Sequence, residues 1–225
     1  ELGLWDWNVP TGEVHFAERW MDMLGYSAEE IEPSIRSWER LLHPEDARGV
    51  NEALAAHLEG RTASYETEHR LRARDGRWVW VLDKGRVTER DPDGRPLRAV
   101  GTHLDITARK EAEQRLRLSE ERLRALLEIS QYDAEDDQDL LDYSLEQVVA
   151  LTRSRIGYIY LYSEERREFT LNSWSREVMP ACSVAEPQTV YDLDKTGIWG
   201  EAVRQRRPIV VNDFAAPDPD RKSVV

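Results

Sequence analysis

Trp5 and Trp7 stand two apart near one end of this sequence, and Trp78 and Trp80 repeat the spacing further along. On a strand, residues two apart share a face, so each pair presents two indoles to one side. If both faces turn inward, four indoles line an aromatic pocket suited to a flavin or another flat ligand. Core and dimer-interface packing are the simpler use. His57 lies three after Leu54 and one before Leu58, bordering the apolar side of a helical stretch. There it offers an imidazole ligand, a solvated helix position being the simpler use. His43, just before Pro44-Glu45-Asp46, is expected to lead one helix into the next, and His69, between Glu68 and Arg70, to sit at the surface or across a strand pair. Cys182 is the one thiol. Oxidant sensing or bilin attachment there would need a lowered thiol pKa, and Ala181, Ser183 and Val184 supply no positive neighbour, so a packed, inert thiol is expected. Lys195-Thr196-Gly197-Ile198-Trp199-Gly200 opens a helix whose first amides could hold an anionic group such as a phosphate. A tight turn needs the same glycines. Trp199 completes the set of candidate pocket residues. No nucleophile–base pair and no metal cluster falls at a usable spacing, so no catalytic residue and no metal ligand is assigned.

The elements that must position these residues follow from local pattern. Residues 4–9 alternate as a strand, 10–13 turn, and 14–16 return. Short helical pieces follow at 18–24 (stopped by Gly25), after a capping box from Ser27 to Glu30, and at 37–42. Pro44 opens a longer helix with Val50, Leu54, Ala55 and Leu58 on one face. Three strands, 64–73, 77–89 and 96–105, are joined by turns that each carry Asp-Gly, a strong hairpin signal. The pattern predicts five antiparallel strands with helices inserted between the second and third. From Thr107 the period changes. Ala112, Leu116, Ser119, Leu123 and Leu126 step by four and three, a heptad seam in which Arg115 and Glu120 take g and e positions able to pair across a parallel dimer. A monomeric helix packed on its own sheet is the other use of that face. Residues 133–139 are expected to be a solvated acidic hinge, and 140–152 a second helix. Strands are expected at 156–162, 169–174 and 209–211, with a glycine-flanked helix starting at 196.

Composition narrows the class. At 225 residues one or two domains are expected. A net charge of −13 argues against nucleic acid, which selects clustered Lys and Arg, and fits a soluble surface. No apolar run approaches the ~20 residues of a membrane span, and one cysteine excludes a disulfide framework or a multi-cysteine metal site. A cytoplasmic location fits. The sequence starts at Glu1 without Met and stops after Val224-Val225 in mid-pattern, so it reads as a piece of a longer protein whose membrane anchors could lie outside it.

Residues 1–107 resemble a PAS domain with its C-terminal motif, on the strings GLWDWNVPTGEVHF, MLGYSAEEI, LLHPEDARGV, EHRLRARDGRWVWV and GTHLDITARKEAE. In that family the Asp-Ile-Thr triplet, here Asp105, Ile106 and Thr107, closes the last strand and starts a signalling helix, here 108–132. Asp and Thr suit a helix start, and Ile106 can anchor the junction. From residue 133 onward the chain resembles the first part of a GAF domain, on ALTRSRIGYIYLY, FTLNSWSREVMPACSVAEPQTVY and KTGIWGEAVRQRRPIVVNDF. The closing strands and helix of a GAF sheet are missing from that resemblance, which implies an unpaired edge along Ile209, Val210 and Val211.

The resemblance implies an α+β architecture: a PAS-type five-stranded antiparallel sheet with inserted helices, a long linker helix, and a partial GAF-type α/β sheet domain. It implies the input and relay region of a two-component signalling protein with a phosphorelay, a sensor histidine kinase above all. A diguanylate cyclase input or a ligand-free dimerisation scaffold is the alternative. The implied partners are a second copy through the helix, with seam Ala112, Leu116, Leu123 and Leu126, a small-molecule ligand, and a downstream kinase or cyclase domain in the same polypeptide. No cofactor is specified. In haem-binding members the longer helix carries the iron ligand, which draws attention to His57, and flavin is the other candidate. The PAS segment has no cysteine, which excludes a flavin–cysteinyl photoadduct.

Overall fold

The computed structural model describes residues 2–175 and 190–210, the side chains of Ile198 and Trp199 excepted. The chain divides into two compact units, Glu1–Arg117 and Leu118–Val225.

The first unit is built on five strands: β1 (Leu2–Asn8), β2 (Glu13–Phe16), β3 (Tyr65–Arg72), β4 (Trp78–Arg90) and β5 (Pro96–Asp105). They pair antiparallel, as the pattern predicted, and stand in the order β2-β1-β5-β4-β3. Between β2 and β3 run α1 (Glu18–Leu24), α2 (Ile35–Leu41) and α3 (Pro44–Leu58). Gly25 stops α1 in the left-handed conformation that glycine adopts without penalty. Ser34 caps α2 by accepting from the Arg36 amide. The capping box at Ser27 forms its side-chain bond, the Ser27 amide donating to Glu30 at 3.0 Å. Only a turn follows, because Pro33 ends the segment before a helical nucleus can propagate.

The core lies between one face of the sheet and the three helices. Trp7, Val14, Phe16, Trp20, Leu24, Trp38, Leu71, Val79 and Val81 are buried there. Parity along each strand sets the face. On β4, Val79, Val81 and Asp83 point in and Trp78 and Trp80 point out. On β1, Trp7 is buried and Trp5 half-buried on the inner side. The inner face makes room for the Trp5 indole with two glycines, since a Cβ on Gly85 or on Gly101 would collide with that ring.

β5 runs through Ile106 into α4 (Thr107–Gln131), which buries none of its side chains. In the second unit α5 (Asp137–Thr152) lies against a sheet of β6 (Tyr158–Ser163), β7 (Glu168–Trp174) and β8 (Val190–Asp192), in the order β6-β7-β8. A 3-10 turn at Leu193–Lys195 leads to α6 (Ile198–Gln205). Of the acidic stretch 133–139 expected to be a hinge, residues 133–136 are an irregular break between α4 and α5, and 137–139 are the capped start of α5. Asp136 accepts from the Asp139 amide at 2.8 Å, and carboxylates gather where the helix end is positive. Ile209 and Val210, expected in a strand, are in irregular backbone, with Val210 80% exposed. Val211 lies outside the described residues.

Candidate functional site

Across the inner face of the first sheet, cross-strand neighbours bring polar groups into the core. Thr67 on β3 faces Asp83 on β4, and Asp83 faces His103 on β5. The Asp83 carboxylate is 3% exposed and accepts from Trp5 Nε1 at 2.9 Å and from His103 Nε2 at 2.9 Å. Trp20 Nε1, from α1, donates to His103 Nδ1 at 2.7 Å. On β3, the Thr67 hydroxyl donates to the Tyr65 hydroxyl at 2.9 Å and lies 3.0 Å from His69 Nδ1. His69 is fully buried rather than at the surface, and burial pushes its pKa down to about 4, against a smaller upward pull from the Asp83 charge. Burial pushes the Tyr65 hydroxyl far above its ordinary value, with Asp83 adding to the rise.

His69, Asp83 and His103 place one possible ligand atom each within 4.8 Å of the others. Their bonds argue against a metal centre. The indole N–H of Trp20 requires an acceptor at His103 Nδ1, so the single proton of a neutral imidazole sits on Nε2 and points at Asp83. Ligation through Nε2 would need that proton to move to Nδ1, against the indole N–H. Trp20, His103, Asp83 and Trp5 form a hydrogen-bonded chain that ties α1, β5, β4 and β1 together, while His69 on β3 lies beside it, its ring 5.7 Å from that of His103 and its Nε2 without a partner.

Next to it, Trp5, Trp7, Phe16, Trp38, Tyr65 and Asp83 line a cavity with about 30 Å³ open to the centre of a water-sized sphere. Of the four indoles expected to share a pocket, Trp5 and Trp7 line this one. Trp78 and Trp80 stand on the opposite face of the sheet. Trp78 is 37% exposed with the His43 ring 4.3 Å away, and Trp80 carries the Arg70 guanidinium and the Lys110 ammonium, each 5.2 Å from its ring.

His57 is buried at 4% exposure, not solvated. Its Nδ1 lies 3.0 Å from the Thr62 carbonyl and its Nε2 accepts from the Val87 amide at 3.0 Å, so one ring nitrogen holds the loop that follows α3 and the other fastens the end of α3 to β4. The Nδ1 of His43 accepts from the Glu45 amide and caps α3. With both imidazoles engaged and so little room on the inner face, the residues present do not fit a haem or a flavin. Cys182 lies outside the described residues, and of Trp199 only the backbone, in α6, is described. At the start of α6, a Cβ on Gly200 would collide with the Thr196 hydroxyl, and Arg204 reaches back to the carbonyls of Leu193, Thr196 and Gly197. Gly200 thus lets the first turn of α6 close over the Thr196 side chain.

The other arrangement with functional content is the junction after β5. The Thr107 amide donates to Asp105 Oδ1 at 2.8 Å, and the Thr107 hydroxyl accepts from the Trp80 amide at 3.0 Å. The Ile106 amide donates to the Trp80 carbonyl at 2.9 Å, and its side chain is buried. Arg109 and Lys110 both reach Glu68 on β3, at 2.5 Å, and hold its carboxyl below the usual range. The first turn of α4 is thereby fastened to β3 and β4. Further along, Ala112, Leu116, Leu123 and Leu126 are exposed, the three leucines at 62%, 64% and 62%.

Sequence reasoning missed His69, Asp83 and His103 as one buried polar cluster. Parity could have placed His69, which shares a strand face with Tyr65 and Leu71, whereas Asp83 and His103 lie on strands without clear alternation and are brought beside it only by the pairing register.

Two family models match, one described as PAS fold over residues 13–103 and one as GAF domain over residues 134–225. The chain therefore joins a PAS fold to a GAF domain. It is 41% identical over 118 residues to the methyl sulfide methyltransferase-associated sensor of Methanosarcina acetivorans, covering 52% of this chain and 12% of that protein. It is 41% identical over 103 residues to the two-component sensor PprA of Pseudomonas aeruginosa, covering 42% of this chain and 10% of that protein. Each match thus spans about a tenth of the relative's length. Among solved structures, a sensory box histidine kinase/response regulator from Burkholderia thailandensis matches with 38% identity and a TM-score of 0.49, over 55% of this chain and 90% of that one. Among the described residues, no helix is long and apolar enough to cross a membrane.

Proposed function

We propose that this chain is the sensory and relay region of a signal-transduction protein, with a sensor histidine kinase of a two-component phosphorelay as the parent. The observation that carries the reading is the junction at Asp105, Ile106 and Thr107. A strand of the PAS sheet passes into a 25-residue helix through one intervening residue, and side chains of that triplet and of the helix's first turn bond to β3 and β4. A shift in the sheet therefore moves the helix start. The names of the sensor relatives support the same class.

The relay needs a second copy. The seam of Ala112, Leu116, Leu123 and Leu126 repeats at heptad spacing and is uncovered in the single chain, and parallel pairing of two such helices would bury it. A coupling free energy of about 1–3 kcal/mol between sheet and helix suffices to switch an output.

Asp105→Ala tests the reading in the full-length parent. The variant loses the acceptor for the Thr107 amide and nothing from the core. The expected outcome is loss of stimulus-dependent autophosphorylation, with the thermal midpoint of the PAS unit within about 4–8 °C of wild type. An intact stimulus response in Asp105→Ala, or collapse of the PAS fold, removes the reading.

A further inference from the structure

The ionic clamp between α4 and β3 has a geometry that a helix start does not by itself require. Glu68 stands on the exposed side of β3, opposite Leu82 on β4. Two consecutive residues of α4, Arg109 and Lys110, each reach its carboxylate at 2.5 Å. Consecutive residues point about 100° apart around a helix, so one carboxylate held by both fixes the rotation of the helix as well as its position. Lys110 is held from a second side by the Trp80 ring, 5.2 Å away. Ala112 and Leu116 then point about 110° and 70° to one side of the clamped direction. The seam therefore faces about a quarter turn away from the sheet, which is why the sheet leaves Leu116 uncovered.

The clamp also has somewhere to release to. Glu113, one turn further along α4, already lies 3.0 Å from Arg109 and 3.9 Å from Lys110. Both cations keep an acceptor on their own helix when Glu68 lets go, so release leaves neither charge bare. Glu68, Arg109 and Lys110 are 34%, 46% and 27% exposed, and solvent and salt screen pairs as open as these. The contact thus adds little to folding while it decides a direction, which suits it to switching.

We infer that Glu68 is a positioning residue: by holding Arg109 and Lys110 together it sets the rotation of α4 on the PAS sheet, and with it the direction in which the seam faces. As regulation of a relay this deepens the sensory reading above and rests on it. As a statement about one chain it needs neither a second copy nor an output domain.

The test is a pulsed dipolar distance measurement within the 225-residue chain, in a Cys182→Ser background. Nitroxides are attached at Arg86→Cys on β4 and Gln114→Cys on α4, and the labelled protein is diluted with unlabelled chain so that only distances within one chain are read. With Glu68 present, one narrow distance is expected, and it should broaden as NaCl rises from about 0.1 M to about 1 M. Glu68→Gln should broaden or shift the distance already at low salt, respond no further to salt, and melt within a few degrees of the parent chain. Reversing every charge of the set, with Glu68→Lys, Arg109→Glu, Lys110→Glu and Glu113→Lys, should restore the narrow distance. A distance that ignores Glu68→Gln, or a charge-reversed chain that folds normally and stays broad, would overturn the inference. In the full-length parent, Glu68→Gln that moves the distance and leaves stimulus-dependent autophosphorylation unchanged would uphold the clamp and remove the relay reading.

Discussion

The two faces of the PAS sheet use the same Trp-X-Trp spacing for opposite purposes. Trp5 and Trp7 on β1 turn inward, where one indole donates to a buried carboxylate and both border a cavity. Trp78 and Trp80 on β4 turn outward, one exposed and one beneath two cations, Arg70 and Lys110. The inner pair sits where water is excluded, so its worth depends on which N–H finds an acceptor. The outer pair sits where solvent competes, so its worth lies in offering a flat surface to the first turn of α4. A tryptophan's job here is set by what lies opposite it, and spacing alone does not reveal that.

The comparison breaks most sharply at Gly101. An added Cβ there meets the Trp5 indole and the backbone carbonyl of Lys84 together, and a carbonyl in a paired strand cannot step aside. Gly101→Ala should destabilise the first unit by about 3 kcal/mol, the upper part of the range for overpacked cores. Trp78→Ala on the outer face should cost well under half of that. Urea unfolding followed by tryptophan fluorescence measures both. Equal losses would mean that the two faces are not energetically distinct.

Acid should separate the faces next. His69 is held at about 4, below its unfolded value near 6.5, because burial disfavours the charged ring. Between those values the unfolded chain binds the proton and the folded chain does not. The contribution is therefore complete above pH 6.5 and is lost as pH falls towards 4, by about 3 kcal/mol. His69→Gln should flatten that slope in a series of melts from pH 7 to pH 4. An unchanged slope would assign the acid sensitivity to other groups.

How much of this was legible differs by element. Alternation and Asp-Gly turns specify the five strands, and the change of period at Thr107 specifies α4, because those signals are local. The face of β4 was not legible. Trp78-Val79-Trp80-Val81-Leu82 is apolar at every position, so alternation has nothing to read, and the pairing with β3 and β5 decides which side is buried. The buried state of His57 was hidden for a related reason. Its partners, the Thr62 carbonyl and the Val87 amide, are backbone groups, and one of them is 30 residues away. The polar trio was spread over three strands, and only register brings it together. The start of α5 was placed three residues late, at Leu140 instead of Asp137, because composition, and not position relative to a helix cap, was weighed.

The outer face can be sharpened with a smaller change. Thr107→Val keeps the shape of the side chain and removes the oxygen that accepts from the Trp80 amide. The β5 partner in that region is already occupied, since the Trp80 carbonyl takes the Ile106 amide. The Trp80 amide would therefore lose its acceptor on a half-covered surface, at a cost of about 1 kcal/mol. The effect should be local. Amide hydrogen exchange should quicken at Trp80 and through the first turn of α4, while the indole protons of Trp5 and Trp20 on the inner face keep their protection. If the inner indoles exchange faster as well, the two faces share one cooperative unit, and a change at the helix start then reaches the inner face of the sheet.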